Sequence, residues 1–600
     1  MSPGTRRALL CILAGGLLVR VAHLGALADT ALWKFPSVFT QSDMHGFLEW
    51  ARAIQAGDWL GRDTYHPYTD WMRELAPRET WYRWWGGEHI FQQEPLYPYL
   101  LALLLGVWGG SVGGVLLVQL LMGGLQPLLA FFIARRLFGD VAGLVAAALL
   151  AFYGPLVFYQ GLLLRDWLVL LLEPLALLAL LRAREQGRAA RWLLAGAALG
   201  LALLAKATLL LFVPLALAWS LTGPHAGQVR RGARAALVLL GLGLALAPLL
   251  LRNAAVGAPV LAFSNRAPEA FALGNAADAE PVGLYFPPSM GPILERSNGQ
   301  LGAVLRHTLE TYQGDVGRFV SVQLRKLRGL VDPMEVPNNA SYDYGRELSP
   351  VLTWLFGYGL VFPLGVAGFL LVLKHWRRHL PLLLYTLATL AGLLVTAILD
   401  RYRLVLVTPL ALYAGAGLGA CVQAVRERNP RPPALLAALT LLVAAGQQWL
   451  APMEELRRSA FFTLFPPSYT VAAEVYAREG RFERALEELR RLREKALRLG
   501  FPEQAHEATQ QEGTLRLRWA RHLLAGGAVE EARHQASLAE QAYGAHREGP
   551  EASYALGLWY SSLGEAPRAR ACLERFLALE PQGPRAQHAR SLLAGLGEQK

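Results

Sequence analysis

Cysteine is scarce, with three residues in 600, Cys11, Cys421 and Cys572. They stand at no metal-ligand spacing and in no pairing pattern, so neither a disulfide framework nor a metal site is read from them. Charge is sparse too, at 17% of residues, while 54% are hydrophobic. That is far more apolar surface than a soluble core needs, which excludes an ordinary soluble globular protein. No glycine-rich phosphate loop and no soluble nucleotide-binding fold is visible. The formal net charge of +12 invites a nucleic-acid reading, but the basic residues fall in clusters between apolar runs. These clusters are Arg6/Arg7, Arg135/Arg136, Arg182/Arg184/Arg188, Arg230/Arg231/Arg234, Lys374/Arg377/Arg378 and Arg426/Arg428/Arg431. That is the positive-inside pattern of cytoplasmic loops, and no nucleic-acid partner is expected.

What the chain has is long apolar runs from Ala8 to Leu450, several approaching the roughly 20 residues that a helix needs to cross hydrocarbon. Candidate crossings are Val112 to Ala134, Val141 to Tyr159, Leu162 to Leu181, and Trp192 to Leu221 as two short halves meeting near Lys206. Ala235 to Leu251, Val351 to Leu373, Leu380 to Leu399, Leu404 to Val422 and Pro433 to Leu450 follow. The first segment, up to about residue 28, reads as an uncleaved anchor in preference to a signal peptide, because its apolar character continues past Arg20 to Trp33. An arginine inside such a segment faces a bundle interior or a wet cavity. Leu96 to Gly109 is short, and counting it as a full crossing would put Arg135/Arg136 on the side opposite Arg6/Arg7. The fold class expected is all-α: a polytopic membrane bundle of about 11 to 13 transmembrane helices over 1–450, with an α-helical repeat domain over 451–600.

With the basic clusters cytoplasmic, the loops 34–95 and 252–349, the turn at Lys206, Asp400 to Arg403 and the C-terminal domain share the extracytoplasmic face. An integral protein of a bacterial inner membrane is the expected setting. The first loop interleaves Trp71, Trp81, Tyr82, Trp84, Trp85, Phe91, Tyr97 and Tyr99 with Arg73, Arg83, Glu88 and Glu94. An interfacial aromatic belt explains the rings. Sugar stacking, with carboxylates taking the hydroxyls, explains rings and acids together, and makes Trp84, Trp85 and Tyr97 candidate sugar or acceptor contacts. In "SDMHGFLEWARAIQAG", Ser42 or Asp43 opens a short amphipathic helix that ends at Gly57, so Asp43 reads either as a cap or as a functional acid.

Several stretches, in order, resemble the multi-spanning GT-C glycosyltransferases that use polyprenyl-phosphate sugars, such as the protein O-mannosyltransferases and the aminoarabinose transferases. Asp43 followed by "ARAIQAGDW" resembles the family's first-loop catalytic aspartate. "QEPLYPYLLALL", "IARRLFG" and the paired short helices around Lys206 resemble later motifs. "NRAPEAFALGNAADAEPVGLY" is similar to a degenerate outer-loop motif, and "DRYRLVLVTPL" to the late basic one. The likeness covers about the first 450 residues. Many members have Asp-Glu where this chain has Asp43-Met44, and Pro-Pro where it has Glu94-Pro95, which leaves Glu94 as the candidate second acid.

The resemblance implies sugar transfer from a polyprenyl-phosphate donor to a hydroxyl of a protein, glycan or lipid, with Asp43 as general base. An attacking alcohol needs a base, whereas a departing phosphate leaves without a proton and needs cationic stabilisation. Arg401 and Arg403 are the first candidates for holding that phosphate, with Lys206 and Arg165 next and Asp166 orienting a cation. Snorkelling at a helix end accounts for Arg401 and Arg403 equally well. No cofactor is required beyond the donor. Asp43 and Glu94 leave room for a shared divalent metal, while the resemblance implies catalysis without one.

After Leu450 the sequence turns charged and alanine-rich. "AEVYAREGRFERALEELRRL" and "ALGLWYSSLGEAPRARACLERFLALEP" fit the tetratricopeptide pattern, with a weaker middle unit around Gly527 and Ala532. Such an array offers a docking surface for a protein or peptide, or serves only as a packed helical cap. The reading from another class is a non-catalytic transporter or flippase of lipid-linked sugar with a repeat adaptor. It gives no reason for the aromatic first loop.

Overall fold

Leucine, alanine and valine fill the runs between the basic clusters, and the chain closes its backbone hydrogen bonds locally, as hydrocarbon requires. The computed structural model describes residues 1–64, 76–222, 229–450, 465–544 and 548–596. Trp71 and Arg73 of the aromatic loop lie outside the described residues. Among the described residues there is no sheet, only three isolated bridges, at Tyr153/Phe356, Val282/Ile398 and Asn338/Ala340. The chain forms two compact units, Met1–Leu464 and Phe465–Lys600.

The elements of the first unit that position the site are α1 (Pro3–Leu27), α2 (Asp43–Gln55), α3 (Leu96–Val107), α4 (Asp166–Gln186), α5 (Ala189–Ala205), α6 (Arg231–Val256), α7 (Arg266–Asn275), α8 (Val316–Val331), α9 (Leu380–Val395) and α10 (Asp400–Arg426). Among the described residues six segments are long and apolar enough to cross a membrane: Pro3–Leu27, Val112–Phe138, Arg231–Val256, Tyr358–Val395, Asp400–Arg426 and Arg431–Leu450. Shorter apolar helices lie at Leu96–Val107, Asp140–Ala151, Ala189–Ala205 and Ala207–Ser220. Runs read from sequence as single crossings are divided. Val141 to Tyr159 breaks between Asp140–Ala151 and Gly154–Gln160, and α4 begins at Asp166 rather than Leu162. α4 is 21 residues long but carries Asp166 and Glu173, both buried.

Small residues let the backbones approach. A Cβ on Gly196 of α5 would lie 2.0 Å from the Val238 carbonyl oxygen of α6, and one on Gly241 of α6 would lie 2.0 Å from the Leu193 carbonyl oxygen of α5. This is the close small-residue contact of membrane helices. Arg20 of α1 is fully buried: Nε donates to Gln160 Oε1 (2.8 Å), and Nη1 to the carbonyls of Gly16 (3.0 Å) and Ala151 (2.9 Å).

The loop between α6 and the Tyr358 helix folds into its own small core of Ala272, Leu273, Ile293, Leu294 and Val304. α8 is tied to the ends of two spans, Tyr358–Val395 and Arg431–Leu450. Tyr358 Oη donates to the Leu330 carbonyl (2.9 Å), Gln447 Nε2 to that of Val331 (2.7 Å), and Lys326 Nζ to that of Leu394 (2.7 Å) and to Asn275 Oδ1 (2.6 Å).

In the second unit, consecutive helices run from Pro466–Arg478 through Pro584–Gly595. Gly480 and Gly564 turn the chain between helices, both at φ 73°, a conformation open to glycine at little cost. Leu517, Ala532, Ala536, Tyr543, Leu556 and Trp559 form its core.

Candidate active site

α2 is capped by Ser42, whose hydroxyl accepts the His45 N–H at 3.2 Å. The cap is therefore supplied by the neighbour, and the Asp43 carboxylate turns elsewhere. Oδ1 accepts from Gln93 Nε2 (2.7 Å) and Arg266 Nη2 (3.3 Å); Oδ2 accepts from Arg401 Nη2 (2.6 Å) and Asn339 Nδ2 (3.1 Å). The Asp43 N–H in turn donates to Asn339 Oδ1 at 2.7 Å. The side chain is 17% exposed. Burial alone would raise its pKa, but Arg401 and Arg266, with Arg165 adding to the field, hold it well below the usual carboxylate range. Asp43 is thus an anion at neutral pH, and a weak base while both guanidinium groups remain on it.

The first turn of α10 and the break between α5 and the helix after it bring further charges in. Arg401 Nε faces Asp166 Oδ2, at the start of α4, across 3.7 Å. Among the described residues neither atom has a hydrogen-bond partner. Lys206 ends α5 in an extended conformation (φ −163°, ψ 126°), and its ammonium lies 4.7 Å from the centre of the Tyr402 ring. Among the described residues the Lys206 ammonium makes no ion pair and no hydrogen bond, so it is a cation without a counter-charge in contact. Arg165 pairs with Glu94.

Glu94 is not turned to Asp43. One oxygen takes Arg165; the other takes the Ala207 N–H (3.1 Å) and the Ser264 hydroxyl (3.3 Å). Burial would raise its pKa, and Arg165 reverses that, leaving the carboxyl below its ordinary value. Its place is a tie between the start of α3, the Lys206 break and the segment between α6 and α7.

Arg403 is also elsewhere. Its side chain is 1% exposed. Nη1 donates to the carbonyls of Gly329 (3.2 Å) and Asp332 (2.5 Å), and Nη2 to the Met334 carbonyl (2.5 Å) and Glu335 Oε2 (3.0 Å). No donor on its terminal nitrogens is left for a phosphate, so Arg403 holds protein backbone and Arg401 alone of the pair reaches Asp43.

The aromatic candidates divide likewise. Trp84 Nε1 donates to Glu295 Oε2 (2.7 Å), Trp85 lies 5.7 Å from the Trp81 ring, and Tyr97 is buried with its hydroxyl on Gln119 Oε1 (2.7 Å). None contacts the Asp43 carboxylate. Among the described residues no group of three His, Cys, Asp or Glu side chains is placed to hold a metal.

Three partners of Asp43 were not singled out from sequence. Gln93 and Arg266 stand inside stretches whose resemblance was noted, Gln93 beside Glu94 and Arg266 in "NRAPEAF", so a signal existed. Asn339 carried none.

Residues 92–251 match the family model described as dolichyl-phosphate-mannose-protein mannosyltransferase. That stretch includes Gln93, Glu94, Arg165, Asp166 and Lys206, and over it the resemblance to GT-C glycosyltransferases is borne out. Among curated proteins no match is found. Among solved structures the chain is similar to the oligosaccharyltransferase of Archaeoglobus fulgidus carrying a disulfide-tethered acceptor peptide with the NVT sequon. Identity is 16% over 80% of this chain and 58% of that one, with a TM-score of 0.41. The same protein, AglB, in complex with an inhibitory peptide and a dolichol-phosphate gives 16% identity over 80% and 58%, TM-score 0.40. Its apo form gives 16% over 73% and 56%, TM-score 0.38. The chain spans less than two thirds of the length of these neighbours.

Proposed function

We propose that this chain is a membrane glycosyltransferase that moves a sugar from a polyprenyl-phosphate donor to a hydroxyl acceptor on the extracytoplasmic face. The observation that carries the reading is the pairing of Asp43 with Arg401 at 2.6 Å, beside a Lys206 ammonium that makes no ion pair among the described residues. The acceptor O–H gives its proton to Asp43 as its oxygen bonds to the anomeric carbon. The bond from that carbon to the donor phosphate breaks, and polyprenyl phosphate leaves as the anion. Lys206 and Arg401 take the charge that builds on the phosphate oxygens, where preorganised donors act most strongly. A phosphate that draws Arg401 toward itself also loosens its hold on Asp43 and makes the carboxylate a better base, so donor binding readies the base. No cofactor beyond the donor enters this scheme. The helical unit from Phe465 onward offers a surface for a protein or peptide partner.

The test is Asp43→Asn, which keeps the shape and removes the basicity. Membranes supplied with radiolabelled polyprenyl-phosphate mannose should lose transfer by roughly 10² or more, while the protein still inserts and melts at the wild-type temperature. Wild-type turnover by this variant would sink the assignment of the base.

A further inference from the structure

The four donors on the Asp43 carboxylate are not equivalent. Arg401 and Arg266 are cations that an incoming phosphate will claim. Asn339 is neutral, does not compete for phosphate with a charge, and grips Asp43 twice: Nδ2 donates to Oδ2 at 3.1 Å, and Oδ1 accepts the Asp43 N–H at 2.7 Å. This reciprocal pair fixes the amide's orientation, since only one of its two flips satisfies both contacts. It also fixes the carboxylate relative to the backbone N–H of its own residue, the first of α2.

Reaching that position requires an uncommon backbone. Asn339 has φ 64°, in the left-handed region that asparagine tolerates better than most residues. Such conformations persist where the surroundings hold them, and they cluster at functional sites. Here the surroundings are the first turn of α10. Arg403 clamps the carbonyls of Gly329, Asp332 and Met334, and the Asp400 N–H donates to the Val336 carbonyl at 3.1 Å. The same turn presents Arg401 to Asp43. One helix end therefore grips Asp43 from two sides, directly through Arg401 and indirectly through the 332–339 segment.

We propose that Asn339 is the positioning residue for Asp43, carried on an arm, residues 332–339, that Arg403 anchors. The inference rests on the reading of Asp43 as the base. Asn339 acts through Asp43 and touches no reacting atom. Its two bonds keep the carboxylate oriented toward the acceptor when the phosphate draws the arginines away, and the one that Nδ2 donates to Oδ2 favours the charged form throughout.

Asn339→Gly separates the side chain from the backbone, because glycine adopts this φ freely. Asn339→Asp keeps the shape, cannot donate, and sets a second carboxylate beside the first. Two readouts are taken on detergent-purified full-length protein. The first is kcat and KM for radiolabelled polyprenyl-phosphate mannose. The second needs no substrate: dicyclohexylcarbodiimide adds to protonated carboxyls, and mapping the Asp43 adduct by mass spectrometry at pH 4.5 reads its protonated fraction. In Asn339→Gly, labelling should rise about tenfold, the change that one pKa unit gives, and kcat should fall about tenfold with KM unchanged. In Asn339→Asp both effects should be larger. A residue that only shaped the loop would move the melting temperature and leave labelling at the wild-type level. Wild-type labelling and kcat in both variants, with Asp43→Asn inactive, would overturn the positioning role. An active Asp43→Asn would instead overturn the reading of the base, and the labelling comparison would still decide whether Asn339 sets the charge state of Asp43.

Discussion

Arg401 and Arg403 stand two residues apart at the start of one helix, and on a helix such neighbours point about 200° apart. That geometry explains why one reaches a carboxylate in the site and the other reaches the backbone at and after the end of α8. It also sets two different expectations for the same substitution. Arg401→Lys keeps a charge but cannot reproduce the guanidinium fork, so transfer should fall roughly 10 to 200-fold, from about 1.5 to 3 kcal/mol of charge-assisted bonding, with little change in melting temperature. Arg403→Lys should instead lower the melting temperature by several degrees, because buried carbonyls lose their donor at about 1 to 3 kcal/mol each. Lys326 gives a pH signature. Burial, with Asn275 and the Leu394 carbonyl as its partners among the described residues, pushes its pKa down to about 7. The unfolded chain, with a lysine near 10.4, then binds more protons across that interval, so stability should rise with pH between about 7 and about 10. Lys326→Met should flatten the rise in melting temperature over that range. At this scale the sequence was legible where a charge stood in a recognisable motif, as with Asp43, Arg401 and Lys206. It was not legible for Asn339, whose relevance lies in a left-handed backbone and in a contact 296 positions away.

The helices were legible as apolar runs, and their breaks were only partly so. The break at Lys206 was readable because a lone cation interrupts a run. The one after Ala151 is marked by Gly154-Pro155, whose proline opens the next helix and has no N–H to continue the first, and it was passed over because the flanking residues are apolar. Tertiary pairing holds the parting open: the Phe152 carbonyl accepts the Phe356 N–H (2.8 Å) and the Gly154 N–H donates to the Phe356 carbonyl (2.8 Å). Where two helices meet through glycine, a methyl group has no room. Gly241→Ala should push α5 and α6 apart at a cost of about 1 to 3 kcal/mol, read as a lower melting temperature, with KM for donor unchanged. Gly243→Ala, on the same helix with nothing within 4 Å of its Cβ position, should match wild type. Equal melting temperatures for both variants would argue against close packing at Gly241.

At the scale of the whole chain, the change from apolar to charged alanine-rich sequence after Leu450 falls near the boundary between the two units. The second unit has its own buried clusters, one around Trp559 and one around Leu573 and Phe576, and is of a size that folds alone. Residues 465–600 expressed separately should be soluble, helical by circular dichroism, and melt in one cooperative transition. A broad, non-cooperative melt would show that they depend on the first unit. Which ligand such helices bind is a matter of surface chemistry that helix periodicity does not carry.

The Asp43–Arg401 contact has a consequence for inhibition. The chain carries its own anion on the guanidinium that a phosphate would seek, and a tethered group competes at high effective concentration. On the proposed reading, a charged mimic of the donor headgroup must displace that resident to gain Arg401. Potency against this site is therefore better sought in compounds that leave the ion pair standing and draw their affinity from contacts around it.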